Sequence, residues 1–413
     1  MTPLPGIRKP GSVYIAFEVF PRPKGASTHI AAMVTAMARR YAPVWLLCCG
    51  QADMPVLQVE GDIIIHRHRA HHRNMLRRTV EFSRFVYDRL AALENGPALC
   101  VFRDPWSGVP ALNALPDTPA IFEVNGLPSW ELPYSYPMLS TNGALRAKIE
   151  DMERLCLHAS DALITVSAVT RDALAAGGVS SEQIAVVPNS ATDVFFEAGA
   201  RPCSLEALAE GRWLGYFGSS HSWQGVDVLI EAWARVAEEW PEVRLLLVFG
   251  RRSPAVKDLA KRIRKLELTD RVHLHPPMPP EVLAEAMSRM ELTCAPLVET
   301  FRNVVQGCCP VKIVESMATG TPVLASNLRV NRALIRHGVD GYLARPGDVR
   351  DWALAIRRLL SDSTLRARLA AGARQTAATR FTQECMFDRL QTVFGMAVSR
   401  RPPAKLEDHT CLA

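Results

Sequence analysis

The residues best suited to chemistry lie between Gly307 and Ser326. Lys312 and Glu315 are three positions apart, which puts a cation and a carboxylate on neighbouring parts of one helical face. Pro310 suits the first turn of that helix, where a missing N–H costs nothing. Val311, Val314 and Ala318 recur at helical spacing and predict its buried side. Gly320 stands where a helix ends, and Pro322 cannot continue it. Val323, Leu324 and Ala325 form the short apolar run of a parallel strand. A helix start with free N–H groups and a lysine can hold a diphosphate. A carboxylate beside it can accept from both hydroxyls of a ribose. The group therefore suits a sugar nucleotide. The plainer alternative is a common strand–helix unit with solvated Lys312 and Glu315.

Three further groups fall between an apolar run and a helical pattern. In Pro21–Ser27, Gly25 lets the backbone approach a ligand, and Ser27 or Thr28 can cap the next helix. In Phe122–Gly126, strand alternation places Glu123 and Asn125 on one face. Asn125 can donate a hydrogen bond but cannot act as a base at neutral pH. In Gly218–Gly225, a glycine-bounded loop carries Ser219, His221 and Gln224. The ten cysteines show no metal-ligand spacing; Cys48-Cys49 and Cys308-Cys309 are merely vicinal. They read as reduced thiols, and no zinc site is expected. Cys308 and Cys309 border the Lys312 segment, so thiol modification there would inhibit without either being catalytic.

These groups need a scaffold, and the rest of the chain supplies its pattern. Apolar runs at Val13–Phe17, Val44–Cys48, Ile63–Ile65, Ala98–Phe102, Ala120–Val124, Ala162–Val166 and Ile184–Val187 read as strands. Helical patterns at Ser27–Arg40, Met75–Leu93 and Leu145–Ala159 separate some of them. A second series runs Trp213–Gly218, Val243–Phe249, Arg271–Leu274, Leu292–Cys294 and Val323–Ala325, again with helices between. Strands alternating with helices predict parallel, doubly wound sheets. Ligands of such sheets sit beyond the carboxyl ends of the strands, where all four groups fall.

At about 150 residues per domain, 413 residues suggest two or three domains. No apolar run reaches the roughly 18 residues of a spanning helix. Pro3, Pro5, Pro10, Glu18 and Pro21 break any secretory pattern, so the expected location is cytoplasmic. The net charge is +6, and most of it lies in one stretch. Arg67, Arg69, Arg73, Arg77, Arg78, Arg84 and Arg89 are opposed there only by Glu81 and Asp88. The stretch reads either as a solvated face or as a contact for phosphates and anionic lipid at the inner face of a membrane. Nucleic acid is not expected, because no recognised nucleic-acid-binding module is present.

The run from Glu315 through Met317-Ala318-Thr319-Gly320-Thr321-Pro322-Val323 resembles the donor-binding signature of the retaining glycosyltransferases of family 4. The likeness extends from about Val13 to Phe394. It implies the GT-B fold: α/β, two Rossmann-like doubly wound domains facing a cleft. It divides the chain into an acceptor-side domain 1–190, a linker 191–211, a donor-nucleotide domain 212–382, a helix 383–399 crossing back to the first domain, and a flexible tail 400–413. It implies donor binding by Gly25, Gly218, Ser219, Gln224, Arg251, Lys312 and Glu315. It puts Lys24 and Ser27 on the acceptor side, with plain surface charge as the other reading of Lys24. Asn125 stands where many members carry an active-site histidine, with Glu123 beside it as the second catalytic candidate. No cofactor and no essential metal are implied, since the nucleoside-diphosphate sugar is a co-substrate.

The chain also departs from the family pattern. Ser219 replaces a usual arginine and Gln224 a usual lysine, both of which contact the diphosphate. Lys312 is the first candidate to replace them, and Arg251 and Arg252 follow. The family's earlier glutamate would fall at position 307, which is glycine; Glu299 is a substitute upstream. The expected function is transfer of a sugar from a nucleoside-diphosphate sugar to a saccharide or lipid-linked acceptor in envelope or exopolysaccharide synthesis. A non-catalytic GT-B binding subunit and another GT-B enzyme, an epimerase or phosphorylase, remain as alternatives.

Overall fold

In a computed structural model, the structure describes residues 9–22, 25–69, 72–137, 141–200, 205, 208, 211–250 and 253–401. The chain forms two compact units. The first holds residues up to Thr165, Leu174–Val187 and the chain from Phe387 on; the second holds Val166–Ala173 and Pro188–Met386. The proposed crossing helix is Gln383–Arg400. Within the first unit, Gln391 Nε2 donates to Ala36 O at 2.6 Å, and Arg39 lies over the Phe387 ring. In the expected linker, the described residues Phe195 and Ala198 are buried in the core of the second unit.

The sheet of the first unit contains β1 (Ser12–Val19), β2 (Val44–Gly50), β3 (Leu57–Glu60), β4 (Ile63–Arg69), β5 (Leu99–Phe102), β6 (Ala120–Val124), β7 (Ala162–Thr165) and β8 (Ile184–Val186). Their order is β3-β4-β2-β1-β5-β6-β7-β8. All pairs are parallel except β3 with β4, a hairpin that the sequence reading lacks. β3 is only four residues long, Leu57-Gln58-Val59-Glu60, and partly to fully exposed, so it carries no continuous apolar run to read. β1 pairs with β2 on one side and β5 on the other, Tyr14 lying opposite Leu46 and Val101. The winding direction therefore reverses between β1 and β5, and their carboxyl ends open a crevice there.

The second unit has β9 (Arg212–Gly218), β10 (Val243–Phe249), β11 (Val272–His275), β12 (Leu292–Ala295), β13 (Val323–Ser326) and β14 (Tyr342–Ala344). All pairs are parallel, in the order β11-β10-β9-β12-β13-β14, so the reversal falls between β9 and β12. β9, β10, β12 and β13 are mostly buried and read as nearly continuous apolar runs, which is why they were legible, whereas the edge strand β11 is exposed at His273 and Leu274.

Two corrections concern the elements. The signature helix is Val311–Thr319, capped by Pro310; its buried side is Ile313, Val314, Met317 and Ala318, while Val311 is only half-buried. The arginine-rich stretch is not one face. Arg67 is buried on β4, donating to Phe20 O at 2.7 Å and Pro55 O at 3.0 Å. Arg69 donates to Met54 O, and Arg78 lies over the Phe17 ring. Arg73, Arg77 and Arg84 remain exposed, the last two on the helix Met75–Leu90 beside exposed Leu76, Val80 and Tyr87. Among the described residues, no helix is long and apolar enough to cross a membrane.

Candidate active site

In the second unit, the loops after β9 and β12 meet at the reversal of the sheet. Asn303 Nδ2 donates to both Trp223 O and Val298 O at 2.8 Å, which ties the two loops together. Gly225 makes this possible. Its φ is +65°, and a Cβ there would lie 2.0 Å from Pro296 O. Tyr216, near the end of β9, donates its hydroxyl to Ser219 O at 2.6 Å. Lys312, in the first turn of its helix, reaches this loop. Its Nζ donates to Gln224 Oε1 at 2.6 Å and to Tyr216 Oη at 3.0 Å, and sits 4.1 Å from the Tyr216 ring centre. Gly218 lies under the ammonium, since a Cβ there would meet Lys312 Nζ at 2.6 Å.

Burial pushes the Lys312 ammonium down to about 7, against Cys308 and Glu315, which hold it up. Burial likewise pushes the Glu315 carboxyl up to about 7, and Lys312 opposes that rise. The Glu315 carboxyl makes no hydrogen bond among the described residues. The pair is thus a cation and a carboxylate short of compensating charge, beside a glycine loop. A polyanion would return Lys312 to its charged form, and hydroxyl donors would favour ionised Glu315.

The first unit holds a second polar group at the β1/β5 reversal. Glu123, on β6, is 1 % exposed. Its Oε2 accepts from the Tyr14 hydroxyl at 2.5 Å. Its Oε1 accepts from Asn125 Nδ2 and lies 2.5 Å from His29 Nε2. Burial alone would raise this carboxyl, but His29, then Arg103 and Tyr14, outweigh it and hold it at about 2. Arg103 follows β5, and its Nη1 donates to Ala26 O at 3.4 Å. Burial, then the Glu123 charge, pushes the Tyr14 hydroxyl well up, so Tyr14 stays a donor. Next to it, Asp104 accepts from Phe17 N at 2.8 Å and from Ser107 N at 2.9 Å, fixing the end of β1 to the helix Pro105–Ala114.

Residues 211–362 match the family described as Glycosyl transferases group 1, and residues 23–191 match Glycosyltransferase Family 4. The chain belongs to glycosyltransferase family 4. A D-inositol 3-phosphate glycosyltransferase of Thermobispora bispora is 33% identical over 201 residues, 46% of this chain and 45% of that one. The MMP alpha-(1->4)-mannosyltransferase of Mycolicibacterium hassiacum is 27% identical over 257 residues, 61% of this chain and 58% of that one. The chain spans roughly half the length of the curated relatives it matches first. Anabaena HepE, solved with UDP and glucose, superposes with a TM-score of 0.73 at 17% identity, over 93% of this chain and 99% of that one. Sucrose-phosphate synthase of Thermosynechococcus elongatus gives 0.74 at 20% identity, over 94% and 99%. These likenesses show the GT-B fold.

Seen as a family 4 protein, the chain has most of its expected site residues in two groups. Gly218, Ser219, Gln224 and Lys312 come together in the second unit, with Glu315 one helical turn on. Glu123 and Asn125 come together in the first. Lys24 and Arg251 lie outside the described residues. Glu123 is buried with both oxygens engaged by protein groups. Ser27 was expected to cap a helix or touch an acceptor. It lies inside the helix Gly25–Tyr41, is buried, and accepts from Arg22 N at 2.9 Å. Gly25 has open space where a Cβ would stand. Glu299 is exposed. The sequence reading missed Tyr216, Asn303, Tyr14, His29 and Arg103. Tyr216, Tyr14, His29 and Arg103 lie in or next to elements that were read, with partners distant in sequence; Asn303 lies in the helical turn Arg302–Gln306, which was not read. A histidine one turn into the first helix is the only local signal that pointed to any of them.

Proposed function

We propose that this protein is a retaining glycosyltransferase that moves a sugar from a nucleoside-diphosphate sugar to a saccharide or lipid-linked acceptor. The observation that carries the reading is the Lys312–Gln224–Tyr216 group over Gly218, beside a Glu315 carboxylate with no hydrogen-bond partner among the described residues. Lys312 and the backbone of the Gly218 loop would hold the diphosphate, and Glu315 the ribose. Lys312 would also stabilise charge developing on the leaving diphosphate, a contribution that grows as water is excluded. In the retaining course, the leaving diphosphate takes the acceptor's proton on the same face of the sugar. Family 4 membership supports the reading, and the names of the relatives, a D-inositol 3-phosphate glycosyltransferase and an alpha-(1->4)-mannosyltransferase, suit sugar transfer. The exposed arginines and apolar residues around Met75–Leu90 support work at an anionic membrane surface.

The test is thermal stabilisation by UDP, GDP, ADP and dTDP, then calorimetry with the one that binds. Glu315→Ala should cost at least about 2 kcal/mol of that affinity, the scale of a lost charged hydrogen-bond partner. An unchanged affinity in a folded variant removes Glu315 from the site. A second reading, a nucleotide-binding subunit without turnover, draws on Ser219 and Gln224 standing where the family's cations are usual. Hydrolysis or transfer of the corresponding sugar nucleotide eliminates it.

A further inference from the structure

We propose that the Arg78 guanidinium binds an acidic group of the acceptor, a phosphate or a carboxylate. The proposal rests on the transferase reading above and names the chemical class of acceptor that the first unit would take.

Arg78 stands apart from the other arginines of its stretch. Arg67 and Arg69 donate to backbone carbonyls, and Arg73, Arg77 and Arg84 are exposed. Arg78 is half-buried near the start of the helix Met75–Leu90. Its guanidinium carbon lies 5.9 Å from the centre of the Phe17 ring. Phe17 packs against Phe82 at 5.3 Å and edge-on against Trp106 at 5.6 Å, so the guanidinium rests on an aromatic floor. Arg78 Nε is buried and has no hydrogen-bond partner. Among the described residues, no carboxylate pairs with Arg78, and the neighbouring ones serve other groups. Glu81 Oε1, one turn on, lies 3.1 Å from His72 Nε2. Asp104 accepts from Phe17 N and from both Ser107 N and Ser107 Oγ.

Placement supplies the second line. Phe17 lies near the carboxyl end of β1, and Asp104, which accepts its N–H, just follows β5. Arg78 therefore sits at the reversal of the sheet, where a doubly wound domain takes its ligand. Cys49, at the end of β2, marks the same place. Burial, then Cys48, Asp104 and Glu18, push its thiol up, and Arg78 opposes them. Glu18 Oε1 is itself engaged by Val19 N at 3.1 Å. A buried N–H without an acceptor is costly, and an oxygen of a bound acid would supply what Nε lacks. A guanidinium held on an aromatic ring has little freedom left to lose, and its planar fork matches two oxygens of a phosphate or carboxylate. A neutral saccharide offers no such pair of anionic oxygens.

The test uses the full chain with ¹⁵N-labelled arginine. The Arg78 Nε–H signal, which burial protects from exchange with water, is identified by its loss in Arg78→Lys. Glucose 6-phosphate, glucuronate and glucose are each titrated in, first without nucleotide and then with saturating UDP, or whichever of GDP, ADP and dTDP binds. At least one of the two acids should move the signal saturably, and glucose should not. Calorimetry should find the affinity for that acid about tenfold lower in folded Arg78→Gln, the scale of one lost charge-assisted hydrogen bond, and less reduced in Arg78→Lys. Vesicles containing phosphatidic acid form a separate arm. If they move or broaden the signal and the soluble acids do not, the acidic group is carried on a lipid. A signal that neither the acids nor the vesicles change overturns the proposal, as does an equal response to glucose or an unchanged affinity in Arg78→Gln. Should Arg78→Gln not fold, the wild-type signal still decides. Failure of all four nucleotides to stabilise the protein instead overturns the transferase reading, and the titrations without nucleotide test Arg78 regardless.

Discussion

Lys312 Nζ lies 2.6 Å from Gln224 Oε1, although the two residues are 88 positions apart. The amide oxygen at 224 accepts from the ammonium, at a position where the family pattern resembled here carries a lysine. The two positions share one point in space, so a single cation serves it. A second ammonium there would be repelled by the first and would lose this hydrogen bond.

Lys312→Met should therefore abolish stabilisation by the nucleoside diphosphate while leaving the free protein as stable or more so. Burial has already pushed this lysine down to about 7, so removing it relieves a desolvated cation. The gain is on the order of 1 kcal/mol, at the low end for replacing buried charge with apolar volume. Gln224→Lys should lower the melting temperature and not improve nucleotide binding. Scanning calorimetry with and without nucleotide checks both; tighter binding by Gln224→Lys would refute the shared-cation account.

Gly307 occupies the place of the missing acidic residue, and the backbone explains why. Its φ is +80°, and a Cβ would stand 2.6 Å from Ser167 Oγ and 2.8 Å from Thr170 N. Gly307→Glu should not restore a family feature; it should destabilise the second unit by roughly 1–3 kcal/mol, the scale of holding a side chain in such a conformation. Urea titration of Gly307→Ala and Gly307→Glu measures this, and wild-type midpoints for both would contradict it.

Glu153 gives a pH prediction. It accepts from Ser129 N at 2.7 Å and Ser129 Oγ at 2.6 Å, anchoring the helix Pro128–Ser135 that follows the Asn125 loop. Burial pushes its carboxyl up to about 7, against the two Ser129 hydrogen bonds. The folded protein therefore keeps a proton that the unfolded chain releases near 4.5. That contribution is full below the unfolded value and is lost as pH rises through about 7. Glu153→Gln should gain stability relative to wild type between pH 5 and pH 8, by on the order of 2 kcal/mol. A difference between the two proteins that stays constant with pH would show that Glu153 is ionised throughout.

The exposed arginines predict binding to anionic vesicles. Arg73, Arg77 and Arg84 should be replaced together by Gln, because Arg67 and Arg69 are spent on backbone carbonyls. The wild type should sediment with anionic and not neutral vesicles at low salt, with each basic residue contributing roughly 1 kcal/mol. The triple variant should stay in solution while folded, and high salt should release the wild type. Equal sedimentation with both lipids, or with neither, leaves the arginines as a solvated face.

The sequence by itself determined the doubly wound architecture and the segment from Gly307 to Ser326. Parallel strands buried on both faces must be apolar throughout, and a helix must begin and end with particular residues; both constraints act within a few positions. It could not show that Arg67 is buried or that Ser27 is turned inward, because exposure depends on what packs against a residue. Nor could it show that Glu123 meets Tyr14 across 109 positions, or that Lys312 meets Gln224 across 88. These polar contacts form only when strands from distant parts of the chain enter one sheet at a fixed register. Helix and strand signals are local, while hydrogen-bond partners are set by which loops the sheet order brings to its carboxyl edge.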